Sequence, residues 1–186
     1  MPGHVVISEF ITNLTGITKN MCDNGTKCVD AMKIFIEWFL KCDTVVAHNI
    51  DFDRNMIRLE IARHHAILSQ DIPFIDIIFN SLYDRIVNVH QYDTMIRTNK
   101  TCNILVPKKD GSGMKLKLPK LIELYQILFH QIPQNLHNSL IDVLVTMRCF
   151  IKFRYHRDIS DDYFNKLMDN TINQIPSALT GHLVEW

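Results

Sequence analysis

Two short stretches of this chain carry acids and imidazoles at spacings that could do chemistry. The first runs Val45-Val46-Ala47-His48-Asn49-Ile50-Asp51-Phe52-Asp53, and the second is His137-Asn138-Ser139-Leu140-Ile141-Asp142. Carboxylate oxygens suit hard divalent cations. An imidazole, with a reference pKa of about 6.5, suits proton transfer near neutrality. Each residue also has a plainer use. Asp51 could cap a helix and Asp53 could face the positive end of that helix, while a histidine near a helix start is more often a surface or capping residue.

The elements around these stretches are legible as patterns. Residues 44–48 form a β-branched apolar run that reads as a buried strand. Residues 54–65 repeat apolar side chains at helical spacing, at Met56, Ile57 and Ile61. A strand running into a helix puts its polar junction at the carboxyl edge of the sheet, where α/β proteins keep their ligand sites. The second stretch opens a helix that continues through Phe150.

Upstream, Thr12 to Thr18 reads as a hydroxyl-rich turn around Gly16, with Thr18 as an N-cap. Cys28 to Lys41 reads as a helix so apolar, with Ala31, Ile34, Trp38 and Leu40 beside its main face, that it should be largely buried. Phe74 to Val89 reads as a helix or a helix plus loop, with Ile77, Ile78, Leu82 and Ile86 as its apolar positions. Thr101 to Leu118 looks like a hairpin whose turn carries Asp110-Gly111 and Ser112-Gly113. Its second arm alternates Met114, Lys115, Leu116, Lys117 and Leu118, one face apolar and one basic. With Lys108 and Lys109 it is the densest positive patch, either a solvated hairpin or a phosphate-contacting flap. A helix follows with Pro119 near its first position, and Asp158 to Asn173 reads as another.

The bulk composition narrows the classes. The chain has 186 residues, 47% of them hydrophobic, enough for one compact domain. Lysine plus arginine equals aspartate plus glutamate, 20 against 20, so a nucleic-acid role must rest on local patches. No apolar run approaches a membrane span and no secretory leader opens the sequence. The five cysteines form no C-x-x-C pair, so reduced, mostly structural thiols in an intracellular protein are expected.

His48-Asn49-x-x-Phe52-Asp53 resembles the second motif of the DEDDh exonucleases, the family of the proofreading subunit of bacterial replicative DNA polymerase. His137-x-x-x-x-Asp142 resembles the third motif, and the preceding Lys120-Leu121-x-x-Leu124-Tyr125 helix fits too. Thr15-Gly16-Ile17-Thr18 is similar to the segment that in this family helps hold the terminal nucleotide. The ordered joint occurrence is far more specific than any one piece.

The resemblance implies a helix-rich α/β, RNase H-like fold over residues 1–155, with residues 156–186 as a C-terminal helical extension. It implies metal-dependent 3′-5′ hydrolysis of phosphodiester bonds at nucleic-acid 3′ ends. In this family two ions about 3.5–4 Å apart activate water and stabilise the leaving oxygen. Asp53 and Asp142 would bind Mg²⁺ or Mn²⁺ and His137 would be the general base. Thr15, Gly16, Asn49 and Phe52 would contact the substrate, His48 would be structural, and Asp51 a spare acid. Tyr92-Asp93-Thr94-Met95 resembles the family's next strand end, with Asp93 as a structural cap.

The sequence departs from the family at its start. The family's first two acids form an Asp-x-Glu motif ahead of the Thr-Gly-Ile-Thr turn, and the 14 residues before Thr15 contain only Glu9. The sheet is therefore expected to be N-terminally truncated, lacking the family's first three strands and exposing an edge. A truncated gene product or start-site error is the favoured account. A catalytically dead nucleic-acid-binding module and a protein partner that supplies or covers the open edge are the others. The rival class is a non-catalytic interaction protein in which His137 and Asp142 merely cap a helix.

Overall fold

In the computed structural model the chain is described over residues 6–80, 82, 89–133 and 138–174. It divides into two compact units, Thr26–Leu118 and a second one assembled from Met1–Gly25 and Pro119–Trp186.

The Thr26–Leu118 unit holds a small parallel sheet. Helix α3 (Cys28–Phe39) leads to strand β1 (Thr44–Ala47), then helix α4 (Ile50–Asp71), a single 3₁₀ turn (Ile75–Ile77), and strand β2 (His90–Asp93). Strands β1 and β2 pair in parallel, Thr44 opposite His90 through Ala47 opposite Asp93. Helix α5 (Thr94–Cys102) starts directly at the end of β2, and a hairpin of β3 (Leu105–Pro107) and β4 (Met114–Leu116) closes the unit. The core lies between α3 and α4: Met32, Ile36 and Phe39 meet Ile61, Leu68, Ile75, Ile78 and Phe79. The Phe39 and Phe79 rings meet edge to face with centroids 4.8 Å apart, a favoured aromatic geometry.

Two expectations need correcting here. Helix α3 is amphipathic, not buried all round: Ile34 and Trp38 are 55% and 72% exposed, and Leu40 is exposed beside them. The stripe at Met32, Ile36 and Phe39 is buried against α4 and the 3₁₀ turn, with Val29 and Phe35 partly buried beside it. Among the described residues of the Phe74 to Val89 stretch, Ile75–Ile77 are helical, as the 3₁₀ turn. Ile78 is buried, Leu82 is exposed, and Ile86 lies outside the described residues. The hairpin starts later than expected, because Thr101 and Cys102 finish α5, and its apolar face is not covered: Met114, Leu116 and Leu118 are all exposed. The turn itself follows its residues. Gly111 and Gly113 take positive φ, and the Ser112 backbone N–H and hydroxyl donate to Asp110 Oδ1 at 3.0 and 2.8 Å.

The other unit contains α1 (Glu9–Thr15), α2 (Lys19–Asn24), α6 (Leu121–Phe129), α7 (Ser139–Tyr155) and α8 (Asp161–Gln174). Helix α6 begins two residues beyond Pro119, with Lys120 as N-cap and the Lys120 N–H donating to Glu123 Oε2 at 2.7 Å. Its buried Leu124 and Tyr125 join Ile141, Val145 and Cys149 of α7 and Phe164 and Met168 of α8 in the buried set of this unit. Arg148 of α7 is 2% exposed and ties the three helices together. It donates to the Tyr125 hydroxyl at 2.6 Å, to the Ile159 carbonyl at 3.0 Å and to Asp161 Oδ1 at 2.5 Å. Its guanidinium also lies 4.2 Å from the Phe129 ring centre and 4.6 Å from that of Phe164. Among the described residues no helix is long and apolar enough to cross a membrane.

Candidate functional site

Parallel pairing brings the carboxyl ends of β1 and β2 side by side, so the two chains leave the sheet at one edge. Strand β1 exits through His48 and Asn49, and β2 ends on Asp93. Asn49 takes a left-handed conformation, φ 75° and ψ 58°, and it is the N-cap of α4, with no capping bond from its own side chain. Asparagine is among the few residues that tolerate this region.

The helix is capped instead from the neighbouring strand. The Asn49 N–H donates to Asp93 Oδ1 and the Ile50 N–H to Asp93 Oδ2, both at 3.1 Å. The same carboxylate caps α5, accepting from the Met95 N–H at 2.8 Å and the Ile96 N–H at 3.3 Å. One buried aspartate, 7% exposed, thus serves two helix N-termini at once. Asp93 is the structural cap that the sequence suggests, with a second helix added that no local pattern shows.

His48 is structural as well. The Thr94 hydroxyl donates to the Ala47 carbonyl at 3.0 Å, and His48 Nδ1 is hydrogen-bonded to the same hydroxyl, also at 3.0 Å.

Helix α4 starts at Ile50, four residues earlier than its apolar pattern suggests, and Asp51 is not its N-cap. Asp51 lies in the first turn and pairs with Arg54 at 2.9 Å. Arg54 also donates to Gln91 Oε1 at 3.3 Å, across to β2. Phe52 and Asp53 stand in the same first turn, and Phe52 is 61% exposed. Asp53 is exposed too, yet its carboxyl is held above the ordinary aspartate range. Desolvation by the surrounding protein is the main cause. The charge of Asp93 adds to it, and the Asp53 backbone N–H opposes it.

The remaining candidate residues belong to the other unit. Helix α1 runs through Thr12 to Thr15, where the residue types suggest a turn, and ends at Gly16 with φ 73°. Three hydroxyls close the loop behind it. Thr12 Oγ1 donates to the Ile17 carbonyl at 2.9 Å, Thr15 Oγ1 donates to the Ile11 carbonyl at 2.7 Å, and Thr18 caps α2 through the Met21 N–H at 3.3 Å. The Ile17 N–H also donates to Thr15 Oγ1 at 3.2 Å. Thr15 and Gly16 therefore hold the turn in shape first.

Asp142 is half-buried in the first turns of α7, one residue beyond the backbone N–H groups that Asn138 caps at Leu140 and Ile141. Asn138, not Asp142, caps this helix. His137 lies outside the described residues. The candidate residues thus divide: Asn49, Phe52 and Asp53 share one helix start in the Thr26–Leu118 unit, while Thr15, Gly16 and Asp142 belong to the other.

No curated protein and no solved structure matches the sequence. A family model described as exonuclease, RNase T type, matches residues 3–150, most of the chain. The parallel β1–α4–β2 unit and the helix-rich remainder agree with the RNase H-like α/β fold that this domain implies. The chain belongs to the exonuclease family of RNase T type, whose chemistry is hydrolysis of nucleic acid.

Proposed function

We propose that the chain is a 3′-5′ exonuclease-type domain of the DEDDh kind, which grips nucleic-acid 3′ ends through a divalent ion. The observation that carries this reading is the start of α4. Asp53 is presented in the first helical turn at the carboxyl edge of a parallel strand pair, where desolvation already disfavours its bare charge. A cation beside it would offset that cost.

Asp53 and Asp142 are the carboxylates that would hold Mg²⁺ or Mn²⁺, and their oxygens are of the right kind. The bound ion supplies water activation and charge neutralisation at the phosphate. His137 takes the proton from the attacking water, while Thr15, Gly16, Asn49 and Phe52 position the terminal nucleotide, with the exposed Phe52 ring available for stacking on a base. The setting is intracellular.

The donor set is short in number. The family scheme uses four acids, and these 186 residues supply two of them at motif positions. Turnover by this chain alone is accordingly slow or absent, and a catalytically dead nucleic-acid-binding module is the second reading. Strand β1 pairs only with β2 among the described residues, which leaves an edge to which a protein partner could add strands.

The test is a Mn²⁺ titration of the full chain beside Asp53→Ala and Asp142→Ala, together with a 5′-labelled oligonucleotide. Each substitution is expected to weaken Mn²⁺ binding tenfold or more. Unchanged Mn²⁺ binding in both would end the metal assignment. A ladder shortening from the 3′ end identifies the enzyme, and retention of the oligonucleotide without shortening selects the binding module.

A further inference from the structure

A second group of metal-ligating side chains sits away from the β1–α4 junction, between α3 and the middle of α4. Cys28 is the first residue of α3, and Glu60 and His64 lie one turn apart on α4. One ligating atom from each of the three lies within 4.8 Å of the other two. Cys28 Sγ is 3.5 Å from Glu60 Oε2, and His64 Nε2 is 3.7 Å from the same oxygen.

The two separations from Glu60 Oε2 match those around a tetrahedral ion. Bonds of about 2.0–2.3 Å to sulfur, nitrogen and oxygen at tetrahedral angles put the donors roughly 3.3–3.7 Å apart. The carboxylate is also set for one-oxygen ligation, because Glu60 Oε1 is held by Arg63 while Oε2 faces the cysteine and the histidine. Support of this kind for a ligand is the usual companion of a metal site.

We propose that Cys28, Glu60 and His64 form a binding site for a zinc-class divalent cation, with water as its fourth ligand. A thiolate beside an imidazole selects Zn²⁺ or Co²⁺ over Mg²⁺ and Mn²⁺, which prefer all-oxygen shells. On binding, the Cys28 thiol gives its proton to solvent and the sulfur bonds the ion, with no change of oxidation state. The ion links the start of α3 to the middle of α4. That start has no side-chain cap, since Lys27 at the N-cap makes no such bond. The site therefore pins one wall of the Thr26–Leu118 core and is separate in chemistry from the oxygen donors Asp53 and Asp142.

The experiment is a Co²⁺ titration of the reduced full chain in excess Mg²⁺, read by absorption. A thiolate-to-cobalt charge-transfer band should rise to one equivalent and be displaced by Zn²⁺ but not by Mn²⁺. Cys28→Ser should abolish the band, and Cys22→Ser should leave it intact. His64→Gln should keep the band but weaken Co²⁺ binding at least tenfold, which tests the site independently of the cysteine variant. Circular dichroism of each variant should match that of the parent, as Cys28 is exposed and His64 half-buried. A parent protein without the band, or a Cys28→Ser variant that keeps it, overturns the proposal.

Discussion

Replacing Asp93 tests whether one carboxylate really organises the site. Its Oδ1 accepts from the N–H groups of Asn49, Met95 and Ile96, and its Oδ2 accepts from that of Ile50. In Asp93→Asn the amide oxygen can keep the three bonds to Oδ1. The amide nitrogen then faces the Ile50 N–H, donor against donor. One buried N–H left without an acceptor costs about 1–3 kcal/mol, and the other bonds lose their charge assistance, so a loss of about 2 kcal/mol is expected. Asp93→Ala removes caps from two helices at about 0.5–2 kcal/mol each and also orphans buried N–H groups. About 3–4 kcal/mol is expected.

Because the chain divides into two units, global unfolding would mix their stabilities. Hydrogen exchange on peptides covering residues 44–102 reads the relevant unit directly. Protection at Asn49, Ile50, Met95 and Ile96 should fall first and furthest in Asp93→Ala, with residues 139–155 unaffected. Should Asp93→Ala lower protection by less than about 1 kcal/mol, a figure below the smallest loss of one buried hydrogen bond plus one cap, the double-cap account is wrong. Mn²⁺ binding should weaken in parallel, since the turn bearing Asp53 hangs from those bonds.

Three other outcomes follow from the same geometry. Arg148→Met keeps the buried volume but strands the Tyr125 hydroxyl and the Ile159 carbonyl, and should cost about 3–5 kcal/mol in hydrogen-exchange protection over residues 139–155. The Arg148 hydrogen bond is the main reason why the Asp161 carboxyl sits below its ordinary value. That contribution is present above the unfolded aspartate pKa of about 3.9 and is lost as pH falls through the lower folded value; acid titration of Arg148→Met should lack this component. Asp53→Asn should stabilise the Thr26–Leu118 unit slightly at neutral pH, by less than about 1 kcal/mol because the exposed side chain is screened. The raised Asp53 pKa makes stability fall as pH rises between the unfolded and folded values, so this gain should vanish at low pH. Gly16→Ala should cost about 1 kcal/mol, since φ is 73° there, and circular dichroism melting will read it.

Patterns with a short period were the legible part of this chain. Asp110-Gly111 and Ser112-Gly113 announce their turn because the residue types alone dictate it. Thr18 announces its cap because the partner, Met21, is three residues away. The start of α4 misleads, since Asn49 in a left-handed conformation stands where a side-chain cap is expected and the actual acceptor is 43 or 44 residues distant. Likewise the apolar residues of α3 cannot tell which of them will meet a neighbour: Trp38 looks like core and is exposed, while Ile36 is buried against α4 and the 3₁₀ turn. Asp53 was legible as a candidate by its motif. The desolvation that raises its pKa was not, because it arises from packing.

The cysteines extend the same reasoning to chemistry. Counting them and finding no C-x-x-C pair is a valid argument against a knuckle, whose ligands come from one tight turn. It says nothing about ligands delivered by two packed helices. Glu60 and His64 are four apart, the spacing that places two side chains on one helix face, and this half of the Cys28 cluster is visible in the sequence. The other half depends on α3 crossing α4 so that residue 28 meets residue 60. The register that buries Met32, Ile36 and Phe39 of α3 against Ile61 and Leu68 of α4 is the one that brings the thiol to the carboxylate. Substitutions that slip this packing, such as Ile36→Ala, should weaken Co²⁺ binding without touching a ligand. The same substitution should leave Mn²⁺ binding less affected, because Asp93 holds the start of α4 through β2 and not through α3.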